Sequence, residues 1–396
     1  MAASTLNPSS LPGAVVTGLY VHIPFCFHKC HYCDFYSITR QTPQRMGRFV
    51  DLVLREADVW TQSQPRLEPR TVFFGGGTPT LLPGGEMHRL ILGLRERFDF
   101  SGCGEWTVEA NPATVSVEYC RMLVEAGVDR ISMGAQSFDP AELAILERHH
   151  QPDDVPRSLE IVRSAGIRRV NLDLIYAIPG QTLGGWMQSL ECAIALGTDH
   201  LSCYGLTYEP NTPLAVRRRL GLVNSIDPEL EIEMLRATRA RLGEVGLQSY
   251  EISNYSRPGQ ECRHNLLYWQ GGDYLGLGPA AASHVQGWRW RNRPHLGEWE
   301  KSLDGGELPA IEIETLTGRQ RAGELAMLML RLSNGIVHAD FAARVGHDAP
   351  ALFAEVIGRL APLGLLEVTE TSIRLSERGL PVADSVAAEF LAAASV

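Results

Sequence analysis

Cys26, Cys30 and Cys33 stand in a C-x3-C-x2-C arrangement within eight residues, while the other five of the eight cysteines are scattered. Thiolates are soft ligands that suit zinc or iron–sulfur clusters. No core period runs through the three positions, so they do not read as packed thiols. A structural zinc needs a fourth ligand, and His22, His28 and His31 are near enough in sequence to keep that reading open. A [4Fe–4S] cluster ordinarily takes four cysteines. Three leave one iron without a protein ligand, free to chelate a small molecule.

The elements that must position this loop alternate. Apolar β-like runs at 18–23, 71–74, 106–110, 130–133, 169–174 and 201–206 are separated by amphipathic helical stretches at 44–60, 86–98, 117–126, 155–165 and 185–196. Gly127, Gly166 and Gly197 close three of these stretches, as helix C-caps do. Six such units imply parallel strands with right-handed crossovers, whose chemistry collects at the carboxyl ends of the strands. The cysteines follow the first strand, the triple glycine Gly75, Gly76 and Gly77 the second, and Glu109 ends the third. Gln136 follows the fourth, and Asp173 is near the end of the fifth. Beyond residue 227 the pattern changes to a long helix at 228–245, a strand at 248–254, an irregular aromatic stretch at 255–299 and a linker near 304–308. The remainder reads as helices at 318–332, 338–345 and 350–363 and a β pair near 366–369 and 373–376, an order resembling a winged helix. The expected division is 1–16, a flexible N-terminus; 17–226, a partial barrel; 227–304, an extension completing it; and 305–396, a small α+β domain.

Composition bounds the function. The 396 residues carry 46 acids against 36 bases, a formal charge of −10, without the basic surplus of a nucleic-acid-coating protein. Only Lys29 and Lys301 are lysines, which reads as coding bias rather than a phosphate-binding surface. Residues 1–16 show no basic region followed by an apolar core, so a secretory signal is not expected. No apolar run approaches the ~20 residues of a membrane span. A cytoplasmic setting keeps thiols reduced.

On these residues the chain resembles the radical S-adenosylmethionine (radical SAM) superfamily, whose signature is C-x3-C-x2-C after the first strand of a partial (β/α)6 barrel. The resemblance implies a [4Fe–4S] cluster on Cys26, Cys30 and Cys33, and S-adenosylmethionine held at the open iron. It assigns the methionine amino group to the glycine run, with Gly76, Gly77 and Thr78 as contacts. Tyr20, Glu109, Gln136, Arg148 and Asp173 fall where the branch containing oxygen-independent coproporphyrinogen III oxidases contacts its cofactor. Arg148 can grip a carboxylate bidentately, while Asp173 and Gln136 can bond ribose hydroxyls and Glu109 the amino group or ribose.

Two relatives within that branch differ in function: the dehydrogenase, which abstracts hydrogen from a porphyrinogen propionate, and the haem chaperones of the HemW type. The dehydrogenase carries a further cysteine directly after the motif and a substantial N-terminal arm. Here Asp34 follows Cys33, no cysteine recurs before Cys103, and 25 residues precede Cys26. His264, Asn265, Tyr268 and Trp269 form the His-Asn-x-x-Tyr-Trp motif of the chaperone group. A histidine can ligate haem iron and the aromatics can stack on a porphyrin, so His264, Tyr268 and Trp269 are the candidate haem residues, with Cys262, His284 and His295 as other conceivable ligands. A packed aromatic loop with a hydrogen-bonded histidine is the alternative. Relatives carry histidine where Ala282 stands.

The reading is a haem chaperone with haem as cargo, an acceptor protein and an electron donor as partners, no nucleic acid and no membrane span, peripheral membrane contact being left open. No catalytic residue is assigned. The alternatives are a porphyrinogen dehydrogenase or other radical enzyme, and a zinc-stabilised binding module.

Overall fold

The computed structural model describes residues 6, 11, 13–62, 66–316 and 318–394. In chain order the elements begin β1 (Val15–Ile23), α1 (Pro43–Thr61), β2 (Arg66–Gly76), α2 (Gly84–Arg95), β3 (Glu105–Ala110), α3 (Val117–Glu125) and β4 (Arg130–Gln136). Next come α4 (Pro140–Ile145), α5 (Asp154–Ser164), β5 (Arg169–Tyr176), α6 (Leu183–Ala195), β6 (His200–Gly205), α7 (Pro213–Arg219) and α8 (Pro228–Glu244). Then follow β7 (Gln248–Ser249), β8 (Asn254–Ser256), α9 (Arg263–Trp269), β9 (Tyr274–Leu277), β10 (Ala282–Val285), β11 (Trp288–Asn292), α10 (Leu296–Asp304) and β12 (Ala310–Thr315). The chain ends with α11 (Gly318–Met329), β13 (Ile336–Val337), α12 (His338–Val345), α13 (Ala349–Leu352), α14 (Ala354–Leu360), β14 (Leu366–Val368), β15 (Ser372–Leu375) and α15 (Ala383–Ala394).

β1 to β6 pair in sequence order, each parallel to the next. Local chemistry starts and stops the crossovers. Thr42 caps α1 by accepting from Arg45 N at 3.2 Å, with Pro43 in its first turn, and Met46, Phe49, Val50, Val53, Ala57 and Trp60 form its buried stripe. Gly127, Gly166 and Gly197 take φ of +99°, +105° and +64°, the left-handed turn that returns each helix to the next strand.

The flanks decide the rest of the sheet. β9 pairs parallel with β1, and β10, β11 and β12 add antiparallel strands beyond it. On the other side β8 and β7 add antiparallel to β6. The order is β12-β11-β10-β9-β1-β2-β3-β4-β5-β6-β8-β7, open at both ends among the described residues. The strand expected at 248–254 is therefore two short antiparallel strands. The stretch expected to be irregular is organised by long-range pairing, which leaves no local period to read. Most of the expected flexible segment 1–16 lies outside the described residues, but Leu11 and Ala14 are buried in the core and Val15 already opens β1.

Glu56 ties the extension down. This buried carboxyl on α1, pushed up to about 8 by burial, accepts from Gly278 N at 2.9 Å, Asn292 Nδ2 at 2.6 Å and Trp299 Nε1 at 3.1 Å. Both of its oxygens accept, whereas a glutamine amide nitrogen only donates, so Glu56→Gln sets an N–H group against a buried donor. It is expected to destabilise the protein by about 1–3 kcal/mol in denaturant unfolding; an unchanged midpoint would show that these bonds do not hold the flank.

The C-terminal unit has its own core around Phe341, Phe353 and Phe390 and a β13-β15-β14 antiparallel sheet, the α+β arrangement expected. β12 belongs to the large sheet, so the boundary expected at 304/305 falls after residue 315. The helix expected at 350–363 breaks at Phe353 into α13 and α14. No helix among the described residues is long and apolar enough to cross a membrane.

Candidate functional site

The three cysteines occupy the loop leaving β1. Ile38 N donates to Pro24 O at 2.7 Å and Cys26 N to Ile38 O at 3.0 Å, closing the base of the loop, while buried Phe25 anchors it edge-on to Phe49. The thiols are partly exposed. Thr78 Oγ1 lies 3.7 Å from Cys26 Sγ, and Arg148 Nη1 donates towards Cys30 Sγ at 3.5 Å. Burial pushes the Cys33 thiol up to about 11 and raises that of Cys26. Such thiols are not tuned as free nucleophiles; the positive charge of a bound metal is what would ionise them.

The histidines that kept zinc open are turned elsewhere. His28 Nε2 and His31 Nε2 both meet Glu147 Oε2, at 2.7 and 2.9 Å, and His22 Nε2 meets Tyr36 O at 2.8 Å. Among the described residues no three His, Cys, Asp or Glu side chains converge on a single metal ion. Glu147 was not marked by any motif. It takes φ +56°, a strained value for a non-glycine residue, immediately before Arg148.

Around the loop the strand ends bring the expected polar residues together. Gly77 N donates to Ile23 O at 2.9 Å and Thr78 N to Phe25 O at 2.7 Å. A Cβ on Gly77 would stand 2.7 Å from Phe25 O and 2.8 Å from Ile23 O, so only glycine lets the backbones close. Gly76 N, at φ +103°, donates to Glu109 Oε2 at 3.1 Å. Burial, with the nearby Asp173 charge adding, pushes the Glu109 carboxyl up to about 8. Burial also raises Asp173, although Asn171 Nδ2 donates to it at 2.7 Å and Ser132 Oγ at 3.3 Å. Gln136 takes φ +63° at a register shift in β4. Arg148 Nη2 donates to Gly134 O at 2.8 Å, and its Nε is buried without a partner among the described residues. Tyr20 bonds His22 Nδ1 at 3.1 Å and stacks on Phe73, and burial raises its phenol well above the ordinary range.

These features suit an absent ligand. Two buried carboxyls bind their protons more tightly than usual, a guanidinium has an orphaned nitrogen, and glycine backbone lies beside the thiols. A zwitterionic, hydroxyl-bearing molecule would supply the missing partners, with its carboxylate to Arg148 and its cationic end to the acids.

The His-Asn-x-x-Tyr-Trp segment is α9. Glu105, reaching across from β3, accepts from Arg263 N at 3.1 Å and His264 N at 3.0 Å and pairs with Arg169 at 2.8 Å. The expectation that His264 offers a nitrogen to haem iron does not fit this arrangement. Its ring is fully buried and stacked on Phe73, with Nδ1 bonded to Thr71 Oγ1 at 2.9 Å and Nε2 to Tyr268 Oη at 2.8 Å. Burial lowers it to about 4. Cys262 is likewise buried, against Glu105. Tyr268 and Trp269, by contrast, line a cavity of about 440 Å³ that also admits His284. Ala282 and His284 are two apart on β10 and share a strand face.

Residues 20–193 match the Radical SAM superfamily and residues 316–382 the HemN C-terminal domain. The chain is 34% identical to the Heme chaperone HemW of Mycobacterium tuberculosis, over 97% of this chain and 98% of the relative. It is 33% identical to that of Bacillus subtilis, over 94% and 98%. The Escherichia coli HemW is 39% identical over 67% of this chain and 70% of the relative. Among solved structures, coproporphyrinogen III oxidase (HemN) from Escherichia coli superposes with a TM-score of 0.81 at 23% identity, over 97% of this chain and 91% of that one. That likeness carries the α/β fold with its parallel sheet.

Proposed function

The chain belongs to the HemW family of radical SAM proteins, and from that we propose that it is a cytoplasmic haem chaperone, binding haem as cargo and passing it to an acceptor protein. The family implies a [4Fe–4S] cluster and S-adenosylmethionine. Cys26, Cys30 and Cys33 are the residues that would hold the cluster. Tyr20, Gly76, Gly77, Thr78, Glu109, Gln136, Arg148 and Asp173 would surround S-adenosylmethionine. When bound and reduced, that pair supplies a one-electron cleavage of the sulfonium. The protein's own part is to orient: Arg148 holds a carboxylate, the glycine backbone and Glu109 an amino group, and Asp173 and Gln136 hydroxyls.

The observation that carries the chaperone reading is the cavity faced by Tyr268 and Trp269, which offers aromatic surface to a flat ligand. The cysteine pattern supports it, since no fourth cysteine follows Cys33 before Cys103. The test is a pair of anaerobic measurements on reconstituted protein. Saturable one-to-one haem binding without decarboxylation of coproporphyrinogen III is expected. Efficient decarboxylation with no haem binding would reverse the assignment to the dehydrogenase.

A further inference from the structure

The cavity beside α9 lies where the large sheet meets the C-terminal unit, and its walls differ chemically. One wall is aromatic: Tyr268 and Tyr274 pack edge-on at 4.4 Å between ring centroids, and Tyr274 tilts against His284 at 6.2 Å. The opposite wall is α11, which presents Leu325 and Leu328. Close approach of the two is real, since a Cβ on Gly271 would stand 2.7 Å from Leu325 Cδ1. The volume of about 440 Å³ lies within the range of small-molecule sites.

Three arginines surround this apolar slot in a protein of net charge −10. Arg289 is neutralised by Glu324 and Glu314. Arg321 on α11 and Arg344 on α12 have no hydrogen bond or ion pair among the described residues, and both also line an adjoining cavity of about 290 Å³. Glu324 is held by Arg289, and Asp273, which lines the adjoining cavity with the two arginines, accepts from Gln286 N at 2.9 Å, so neither cation is ion-paired to an acid among the described residues. Trp269 Nε1 is buried without a partner among the described residues as well.

His284 is 7% exposed, and its Nδ1 meets Gly272 O at 3.0 Å, with Asp273 Oδ1 at 3.7 Å. A carbonyl acceptor fixes the proton on Nδ1 and leaves the Nε2 lone pair for a metal. His264, with both nitrogens engaged, has none to give.

We propose that haem is seated in this cavity with the porphyrin against Tyr268 and Tyr274, His284 Nε2 as its axial ligand, and its two propionates on Arg321 and Arg344. The site is thus completed by the C-terminal unit. The proposal rests on the haem-chaperone reading above. It identifies the iron ligand and the carboxylate partners within that reading.

The test titrates the full chain with ferric haem, reading dissociation constant, Soret position and the electron paramagnetic resonance signature of the axial ligand. His284→Ala is expected to weaken binding about ten- to hundredfold and to lose the histidine signature, while His264→Gln keeps that signature. R321A/R344A, on the outer side of the slot, is expected to weaken haem by a similar factor but leave haem dimethyl ester, which lacks the two charges, unaffected. Circular dichroism of each variant checks that the fold is intact. If wild type fails to bind haem saturably, the chaperone reading fails and this site with it. If wild type binds but His284→Ala and R321A/R344A bind as well as wild type, or if only His264→Gln loses the ligand signature, the seat is elsewhere and this proposal alone is overturned.

Discussion

Alanine at any one of Cys26, Cys30 or Cys33 is expected to abolish the iron–sulfur absorbance of anaerobically reconstituted protein, with iron and labile sulfide falling to near zero. Three thiolates already leave one iron of a four-iron cluster without a protein ligand, so a further loss has no replacement at hand. The neighbouring histidines cannot serve while His28 and His31 are clamped by Glu147 and His22 is held by Tyr36 O. The apoprotein should barely notice: the three side chains are partly exposed and outside the core, where substitutions typically cost within about 0.5 kcal/mol. Loss of the cluster together with an unchanged thermal transition separates ligation from folding. Normal iron and sulfide content in any one variant would remove that cysteine from the ligand set.

The second large effect concerns Glu109. Its carboxyl is raised to about 8 in the ligand-free protein. A raised carboxyl binds its proton more tightly folded than unfolded, so its contribution to stability is present at low pH and is lost as pH rises through 8. A cationic ligand reverses this by favouring the ionised form. With Glu109 on the amino group as proposed, S-adenosylmethionine displaces its proton below that pH, and the affinity is expected to fall by up to about tenfold per pH unit as pH drops below 8. The rise in melting temperature on adding ligand should correspondingly grow between about pH 6.5 and 8.5. Glu109→Gln removes the charge-assisted bond, weakening binding about ten- to hundredfold, and flattens the profile to whatever slope the ligand's own amine contributes. A variant that keeps both the affinity and the full slope would show that Glu109 does not meet the cationic end of the ligand.

How far these sites were legible depends on the distance over which each is built. The parallel strands β1 to β6 and most of their helices announced themselves, because a half-buried helix and a buried strand write their periods locally. The cysteine loop was equally plain, its three thiols lying within one turn-rich segment. Glu109, Gln136, Arg148 and Asp173 needed the resemblance to be picked out, and the parallel order of the strands then brought them to one rim. Glu147 had no signal at all: an acid before Arg148 looks like any surface glutamate until His28 and His31 are folded onto it.

The aromatic segment was the hard case. A histidine followed four residues later by tyrosine is consistent with a ligand beside a stacking ring, and equally with a ring sealed into a core. What decided between them was Thr71 on β2, almost two hundred residues upstream, which takes the Nδ1 of His264. His284 shows the converse. The sequence offered it only as one of several conceivable ligands ranked behind His264, and it is β10 that carries it into the slot that α9 and α11 enclose.

The amino-acid sequence by itself determined the cluster loop, the alternating α/β scaffold and the mildly acidic charge, since each is set by spacing or composition within a few turns of chain. Only the tertiary structure decided which histidine is free and which arginines stand unpaired. It also decided that β9 to β12 extend the sheet from β1. A hydrogen bond saturates a side chain, and an apolar wall forms, only when segments distant along the chain are packed together, and that packing leaves no period in either segment.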